Sequence, residues 1–418
     1  MMNECTRLIA DFDPIGGLTL RDARPFQAGD SFTASNLPFP PSPAPFWSAA
    51  RKVLRQAGAQ PSRLQASGFA VADTEGAYFP APLDLSREAP VESIAAGNRD
   101  LQWTTLAPHR EGAVIWSTTS DVPSAPLAGT FLNRGQWTSY LNGELIRQRF
   151  PDRLRTAADF AATDRRTGVR LRSDERKVQL GGLYTEDVMY LDRQRKARFR
   201  MAVDAEGSVP DRMEDIVRLG GEARITHVMI AKAREEDQWF DRDLRRRVRN
   251  RILAESAGGP LRVKLCLLTP AIFSGNVRLL QSKGNTPAWR PYWLADSSWD
   301  RKPFTAAYRL KLVAALTSKP SPLGFWDTSS EPKEWEKGSV EGGLGRPKPL
   351  YRCLPAGAVY FLELTADGVS AETALEQFFD LFWLGTILLR RGKEEPAPTY
   401  FGKMGFGWCV IGDWNYVG

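Results

Sequence analysis

Residues suited to acid–base or nucleophilic catalysis are scarce in this chain. Only two histidines occur in its 418 residues, His109 in a polar stretch beside a proline and His227 within an apolar run. A histidine pair acting as acid and base would therefore depend on the fold bringing distant segments together. An HExxH zinc motif, a GxSxG nucleophile elbow and a P-loop are all absent. We expect no catalytic residue, no metal and no cofactor.

Cysteines and long apolar runs are also few. The four cysteines stand far apart and form no CxxC pair, so we expect no structural zinc site. The best candidate for a membrane span, Leu375 to Leu389, is too short and carries two carboxylates. Asp11 and Asp13 come too early for a signal peptide. These features predict a cytoplasmic protein without membrane association, with free thiols buried in apolar runs at Cys266, Cys353 and Cys409.

Positive charge is in modest surplus. Lysine and arginine number 56 against 49 aspartates and glutamates, which gives a net charge of +7. That surplus permits nucleic-acid binding without demanding it, so the positions of the basic residues matter more than their number. A chain of this length exceeds what one core usually supports. We place a domain boundary near Gly258-Gly259-Pro260, between residues 1–257 and residues 258–418.

Two segments of the chain begin with a similar pattern. A strand over Arg7 to Phe12 stops at Asp13-Pro14, and an apolar run within Arg262 to Phe273 stops at Thr269-Pro270. The first is followed by a proline-rich stretch, Leu37 to Pro45, and then by apolar residues at helical spacing up to Gly58. The repeated start indicates a duplicated unit. Further predictions are a strand over Ile225 to Ala231, helices over Trp239 to Leu253 and Ala371 to Arg391, and a loop over Ser318 to Pro349.

Arginines are concentrated in two places. One face of the predicted helix Trp239 to Leu253 carries four of them, either as a solvated surface balanced by nearby carboxylates or as a contact for RNA or an acidic subunit. Basic residues also flank Gly181-Gly182-Leu183-Tyr184, and alternation over Arg195 to Ala202 predicts a hairpin with one cationic face. Such a surface would hold phosphates while aromatic side chains stack on bases, unless its arginines pair with Glu175, Glu186 and Asp192.

The segment Tyr400 to Gly418 mixes glycines with aromatic residues. A backbone without side chains at Gly402, Gly405 and Gly407 can approach a phosphate closely. The alternative is a glycine-broken sheet edge whose aromatic residues lie in the core. That alternative places Trp408 and Trp414 in the core.

An ordered set of short motifs extends over nearly the whole chain. The motifs are Asp13-Pro14, Arg21-Asp22-Ala23-Arg24-Pro25-Phe26, Arg166-Thr167-Gly168, Gly182-Leu183-Tyr184-Thr185-Glu186, Gly220-Gly221-Glu222, Leu268-Thr269-Pro270-Ala271, Pro355-Ala356-Gly357-Ala358-Val359-Tyr360-Phe361 and Gly405-Phe406-Gly407. Together they resemble the RAMP superfamily of CRISPR-associated proteins, and within it the family of third subunits of Cmr (type III-B) effector complexes.

The resemblance implies an α+β fold of two ferredoxin-like (RRM-like) RAMP domains with inserted loops and hairpins. It also implies a non-catalytic subunit that caps the 5′ handle of the CRISPR RNA, meets target RNA only indirectly, and docks against the large polymerase-like subunit and a backbone RAMP subunit in antiviral defence. The RNA-binding residues expected from the motifs and the basic segments are Arg21, Arg24, Phe26, Arg166, Arg170, Lys177, Tyr184, Lys403, Gly405 and Gly407.

Two other functions fit the same sequence. One is a RAMP endoribonuclease that processes precursor CRISPR RNA with His109 or His227 as acid or base. The other is a structural adaptor that contacts only proteins, through Ser318 to Pro349 and the arginine-rich helix.

Overall fold

Antiparallel sheets dominate the computed structural model, which contains more strand than helix. It describes residues 5–20, 39–59, 61, 63–88, 102–108, 116–117, 125–145, 151, 153–171, 177–221, 224–256, 258–273, 291, 293, 307–327, 346–347, 350–390 and 396–415. Two larger sheets, one of eight strands and one of five, carry most of the core. The α+β class expected from the sequence is consistent with this architecture.

The first part of the chain builds the eight-stranded sheet and several short additions. Its strands are β1 Cys5–Pro14, β2 Arg63–Ala72, β3 Ala77–Pro80, β4 Leu85–Glu88, β5 Gln102–Thr105, β6 Ala107–Pro108, β7 Trp116–Ser117, β8 Ala125–Pro126, β9 Thr130–Asn133, β10 Arg155–Thr156, β11 Ala161–Leu171, β12 Val178–Leu191, β13 Arg198–Glu206, β14 Arg212–Arg218 and β15 Ile225–Lys232. Helices α1 Ala44–Gln56, α2 Arg134–Leu141 and α3 Arg242–Glu255, and 3-10 turns at Ala157–Asp159 and Glu235–Asp237, complete it.

Strand β1 lies at the centre of the first sheet, whose order is β10-β9-β3-β2-β13-β1-β15-β14. Its alternation puts Leu8, Ala10 and Phe12 in the core, and Phe12 packs edge-on against Phe46 of α1 at 5.2 Å between ring centroids. The predicted first strand, the helix after the proline-rich stretch and its end at Gly58 are confirmed, as is the strand over Ile225 to Ala231.

The rest of the chain builds the five-stranded sheet. Its strands are β16 Leu261–Leu267, β17 Tyr308–Leu316, β18 Ser321–Leu323, β19 Trp326–Asp327, β20 Arg346–Pro347, β21 Tyr351–Cys353, β22 Val359–Ala366, β23 Gly385–Thr386, β24 Leu389–Arg390, β25 Ala397–Pro398 and β26 Trp408–Asp413, with helices α4 Ala371–Phe382 and α5 Tyr400–Lys403. The sheet order is β17-β22-β16-β26-β23, so the second predicted start, β16, is also a central strand.

Helix α3 connects the two parts. It ends just before the predicted boundary at Gly258-Gly259-Pro260, yet it packs against β16, β26 and α4 of the second sheet. One continuous hydrophobic core includes residues of both sheets. The domain boundary at residues 257/258 therefore stays a prediction, and the hydrophobic core is continuous across it.

The four arginines on one face of α3 have two kinds of partner. Arg242 and Arg246 are exposed and pair with Glu235 and Asp243 at 3.5 and 3.1 Å, as the solvated alternative expects. Arg245 and Arg249 instead bind carboxylates of α4, which neither alternative included. Arg245 bonds Asp380 of α4 at 2.6 Å and also contacts Glu376, and Arg249 bonds Glu376 at 2.7 Å. The carboxylates on the exposed side of α4 were not considered as partners because only long-range packing brings them to α3.

Two other expectations differ from the structure. Helix α4 ends at Phe382 instead of Arg391, since Leu384 adopts a positive φ of 55° and the chain turns into β23. Arg198 and Arg200 lie on β13 in the main sheet, where they pair with Asp11 of β1 at 3.3 and 2.7 Å. The alternation that buries Phe199 and Met201 is confirmed. The two arginines share Asp11, and Arg200 also pairs with Asp237 at 3.4 Å, so both are held in ion pairs within the sheet.

The burial of three cysteines predicts selective thiol reactivity. Cys266, Cys353 and Cys409 are buried and only Cys5 is exposed. Burial raises the pKa of Cys266 and of Cys353 to about 12 and shifts that of Cys409 further in the same direction. Because the thiolate is the reactive form, we expect a colorimetric disulfide reagent to titrate one thiol in the native protein and four after denaturation. Rapid reaction of more than one native thiol would contradict this burial.

No helix within the described ranges is both long and apolar enough to cross a membrane.

Candidate nucleic-acid interface

The loop after β1 starts against the base of a long hairpin. Leu18 exchanges backbone hydrogen bonds with Met189 of β12, at 2.7 and 2.9 Å, and the carbonyl of Thr19 accepts from the N–H of Gly221 at 2.7 Å. A Cβ at Gly17 would lie 2.1 Å from a methyl carbon of Val188, so only glycine permits this approach. The chain therefore enters residues 21–38 from a fixed point beside β12.

The same loop returns at a second fixed point. The ring of Phe39 contacts those of Phe131, Phe160 and Phe199, with centroids 5.5 to 6.1 Å apart. Phe160 comes directly before β11, the first strand of the hairpin. Farther along, Pro43 lies 3.5 Å from where a Cβ of Gly405 would be, in the C-terminal loop.

The predicted residues Arg21, Arg24 and Phe26 belong to segment 21–38 and lie outside the described residues. The described residues on either side of the segment have defined contacts. Leu18 lies beside the hairpin base, Phe39 packs against Phe160 just before the hairpin, and Pro43 lies next to Gly405 of the C-terminal loop.

The hairpin of β11 and β12 pairs Ala161 with Leu191 and continues to Leu171 opposite Val178, with an irregularity between Val169 and Leu171. Arg166 is paired with Asp164 at 3.0 Å, donates to the hydroxyl of Tyr190 and lies over its ring, 5.5 Å from the centroid. Arg165 pairs with buried Asp187 at 2.9 Å. The base of the hairpin is therefore partly neutralised, as the alternative interpretation expected. Arg195 pairs with Asp192 at 3.8 Å, an acid that the alternative named, and Asp164 and Asp187 are further acids.

The remaining hairpin candidates lie farther along. Lys177 is exposed near the tip, and the register places Tyr184 opposite Gly168. The backbone of Arg170 lies in β11, and the side chains of Arg170 and Tyr184 are outside the described set. Tyr190 and Phe39 were missed in the sequence because neither belongs to a basic cluster; the alternation that puts Tyr190 on the face of Arg166 becomes visible only once the register is known.

The glycine-rich C-terminal loop is tightly held by the protein itself. Gly405 and Gly407 have φ values of 91° and 66° and are buried. The N–H of Gly405 donates to Gly402, that of Gly407 to Pro270, and that of Trp408 to the hydroxyl of Thr269. In this arrangement the glycine amides have protein acceptors, so close backbone packing explains these glycines and leaves Lys403 as the exposed cation. Trp408 and Trp414 are in the core, as expected.

His227, one of the two predicted acid–base candidates, has a carboxylate nearby. His227 lies half-exposed on β15, with Nε2 3.9 Å from a carboxylate oxygen of Glu214. That distance is longer than a hydrogen bond. His109 lies outside the described residues, and within those described no group of histidine, cysteine and carboxylate side chains could hold a metal ion.

Comparison with known proteins gives a family and two remote structural likenesses. One solved structure, the "Cryo-EM structure of the Type III-B Cmr-beta bound to cognate target RNA and AMPPnP, state 1", has a chain 10% identical, with a TM-score of 0.39, over 85% of this chain and 86% of that one. A second, the same assembly bound to cognate target RNA, matches at 11% identity and a TM-score of 0.38, over 85% and 86%. No curated protein matches significantly.

The comparison with models of protein families gives a match over most of the chain. The sequence model of the family described as "CRISPR-associated protein (Cas_Cmr3)" matches residues 12–414. The match extends from the middle of β1 to the residue after β26, so it includes both larger sheets. The chain therefore belongs to the Cas_Cmr3 family of CRISPR-associated proteins.

Proposed function

We propose that the chain is a non-catalytic, RNA-binding subunit of a type III-B CRISPR effector ribonucleoprotein. In this proposal it caps the 5′ handle of the CRISPR RNA and docks the large polymerase-like subunit and a backbone RAMP subunit. Family membership supports the assignment to CRISPR immunity. The strongest structural support is the position of the residues that flank the arginine-bearing segment 21–38. Leu18 lies at the hairpin base, and Pro43 lies next to Gly405 of the C-terminal loop.

We also propose that each larger sheet is a ferredoxin-like unit. In chain order, the four strands of the first unit are β1, β2, β13 and β15, and those of the second unit are β16, β17, β22 and β26. Across each sheet they lie in the order second, third, first, fourth: β2-β13-β1-β15 and β17-β22-β16-β26. A βαββαβ unit has this antiparallel order. The second connecting element is a helix in one unit, α4, and a strand in the other, β14.

The division of labour at the interface follows from the side chains. Exposed cations such as Lys177 and Lys403 would hold phosphates, and arginines in segment 21–38 would add to them. Tyr190, already under the guanidinium of Arg166, offers a ring edge on the same face of the hairpin. Bases splayed from a single strand would stack on aromatic residues of the loop.

Salt dependence of binding tests the proposal. If about five phosphates are neutralised, the logarithm of the affinity for single-stranded handle RNA should fall with the logarithm of salt concentration at a slope near about −3.5. Fluorescence anisotropy with labelled repeat-derived RNA from about 0.05 to 0.3 M salt measures it. A slope near zero, or no binding at the lowest salt, would contradict RNA recognition by this chain.

A further inference from the structure

A charged cluster is buried where the two parts of the chain meet. Lys264 of β16 places its ammonium nitrogen 2.7 Å from a carboxylate oxygen of Asp84, and the two side chains are only 8% and 1% exposed. The hydroxyl of Tyr140, on α2, donates to Asp84 at 2.6 Å, and the ammonium group lies 4.2 Å from the centre of the tyrosine ring. Asp84 and Tyr140 come from the first part of the chain and Lys264 from the central strand of the second sheet.

The surroundings raise the pKa values of Lys264, Tyr140 and Cys266 in this cluster. Burial lowers the pKa of Lys264, but the carboxylate of Asp84 more than offsets this, so the pKa is raised and the ammonium form persists. Burial, and then the charge of Asp84, raises the pKa of Tyr140, which stays a neutral donor. The thiol of Cys266, 3.6 Å from the tyrosine oxygen, is also protonated.

A second ion pair joins the same elements nearby. Arg251 of α3 bonds Asp413 of β26 at 2.9 Å and donates to the backbone carbonyl of Asn142, which follows α2. Asp413 and Lys264 occupy neighbouring strands, because Val263 pairs with Asp413 in the register. Directional polar contacts therefore connect α2, α3, β16 and β26.

Stability alone does not explain such a cluster. Removing charges from water is costly, and apolar residues of similar volume often stabilise a core equally well or better. The other contacts between the two parts include ring contacts, such as Trp408 with Phe79 and Trp239 at 5.6 and 5.5 Å. They also include the ion pairs of α3 with α4 and a hydrogen bond from the N–H of Leu83 to the carbonyl of Gly357 at 2.8 Å. Apolar packing has little directionality, whereas an ion pair with a shared tyrosine hydrogen bond permits only a narrow range of positions.

We propose that Lys264, Asp84 and Tyr140 are positioning residues that set the orientation of the second sheet against the first, and so hold the loop bearing Lys403 against Pro43 and Ala66 of the first part. The connection is short. From Lys264, β16 leads to Thr269, whose hydroxyl donates to the carbonyl of Gly405 at 2.7 Å, and to Pro270, which accepts from Gly407 at 2.7 Å. The effect on RNA binding rests on the proposed function, but the orientation itself does not.

Two variants separate positioning from stability. Lys264→Met leaves Asp84 buried without its cation and should lower the unfolding temperature strongly. The triple variant Asp84→Leu, Tyr140→Phe, Lys264→Met replaces the whole cluster with apolar groups and should regain that stability. If the cluster only stabilises the fold, RNA affinity returns with the unfolding temperature. If the cluster positions the second sheet, the RNA affinity of the folded triple variant stays at least about fivefold below that of the unaltered chain.

Distance measurements test the orientation without RNA. Spin labels are attached at two exposed positions, Lys52→Cys on α1 and Ala371→Cys on α4, in a Cys5→Ser background. Double electron–electron resonance then measures the distance between the two parts. The unaltered cluster should give a narrow distribution and the triple variant a broader or shifted one. As a matched control, Arg249→Met with Glu376→Leu removes the contacts of Glu376 with Arg249 and Arg245 between α3 and α4, which both pack on the second sheet. This control should leave the distribution unchanged.

Each outcome bears on one proposal. A wild-type distance distribution in the folded triple variant would overturn the positioning role. If the triple variant does not fold, Tyr140→Phe, which removes only one hydroxyl, decides it: an unchanged distribution there overturns the role, and a broadened one supports it. A changed distribution in a protein whose parent binds no RNA would support the orientation while contradicting the proposed function.

Discussion

Replacing Gly407 with alanine is expected to lower the free energy of unfolding by about 3 kcal/mol. The residue has a φ of 66°, a region that costs an L-residue energy, and a Cβ there would lie 2.7 Å from Cγ of Leu388 and 3.0 Å from a methyl carbon of Ile387. Both neighbours are themselves buried, so neither can move away cheaply. Denaturant unfolding followed by tryptophan fluorescence measures the change.

Gly58→Ala is the matched control for that variant. Gly58 has a similar φ of 76°, but nothing lies within 4 Å of its would-be Cβ, so only the backbone cost of about 1 kcal/mol is expected. The difference between the two variants isolates the packing contribution at Gly407. Equal losses in both would show that the C-terminal loop is not tightly packed, and would reopen direct phosphate contact through its amides.

Elements with apolar residues in a short run and a defined end could be predicted from the sequence. Strand β16 has apolar residues at every second position, β1 and β15 alternate more weakly, and a proline ends the pattern at β1 and after β16. Helix α1 was found for the same reason, because its apolar spacing stops at a glycine. In these segments local propensity and tertiary packing favour the same structure.

Partners that come from distant segments could not be predicted. Arg245 on α3 and Asp380 on α4 are far apart in sequence, and only packing on the same sheet brings them together. The glycines of the C-terminal loop have a composition typical of a phosphate loop, yet Pro270 and Thr269 on another segment occupy their neighbourhood. Composition identifies the glycines; it does not identify what approaches them.

The buried Lys264 illustrates the same point. In the sequence it lies within an apolar run that is typical of a strand, and a single lysine in such a run indicates a side chain that faces outward. Its carboxylate partner, Asp84, is in a segment whose pattern indicated nothing in particular. A buried ion pair is a property of two segments at once, so the sequence of either one alone does not reveal it.

Shortening the hairpin is expected to weaken RNA binding at least about tenfold while leaving the fold intact. Replacing residues 168–184 with Asn-Gly would close the hairpin at the paired residues Thr167 and Thr185 with a two-residue turn. The base contacts, including Arg165 with Asp187 and Leu18 with Met189, are retained. The described part of the removed segment includes exposed Val169 and Lys177, so little core is lost.

The salt slope identifies the cause of that loss. The segment contains Arg170, Arg172, Arg176 and Lys177 against Asp174 and Glu175, so four cations minus two acids lowers the net charge by two. Each lost phosphate contact should make the slope shallower by about 0.7. Arg212→Gln with Arg234→Gln removes the same net charge at positions 66% and 76% exposed, away from the interface. If both proteins lose affinity equally, long-range charge explains binding; a larger loss and a shallower slope in the shortened protein alone place phosphates at the hairpin.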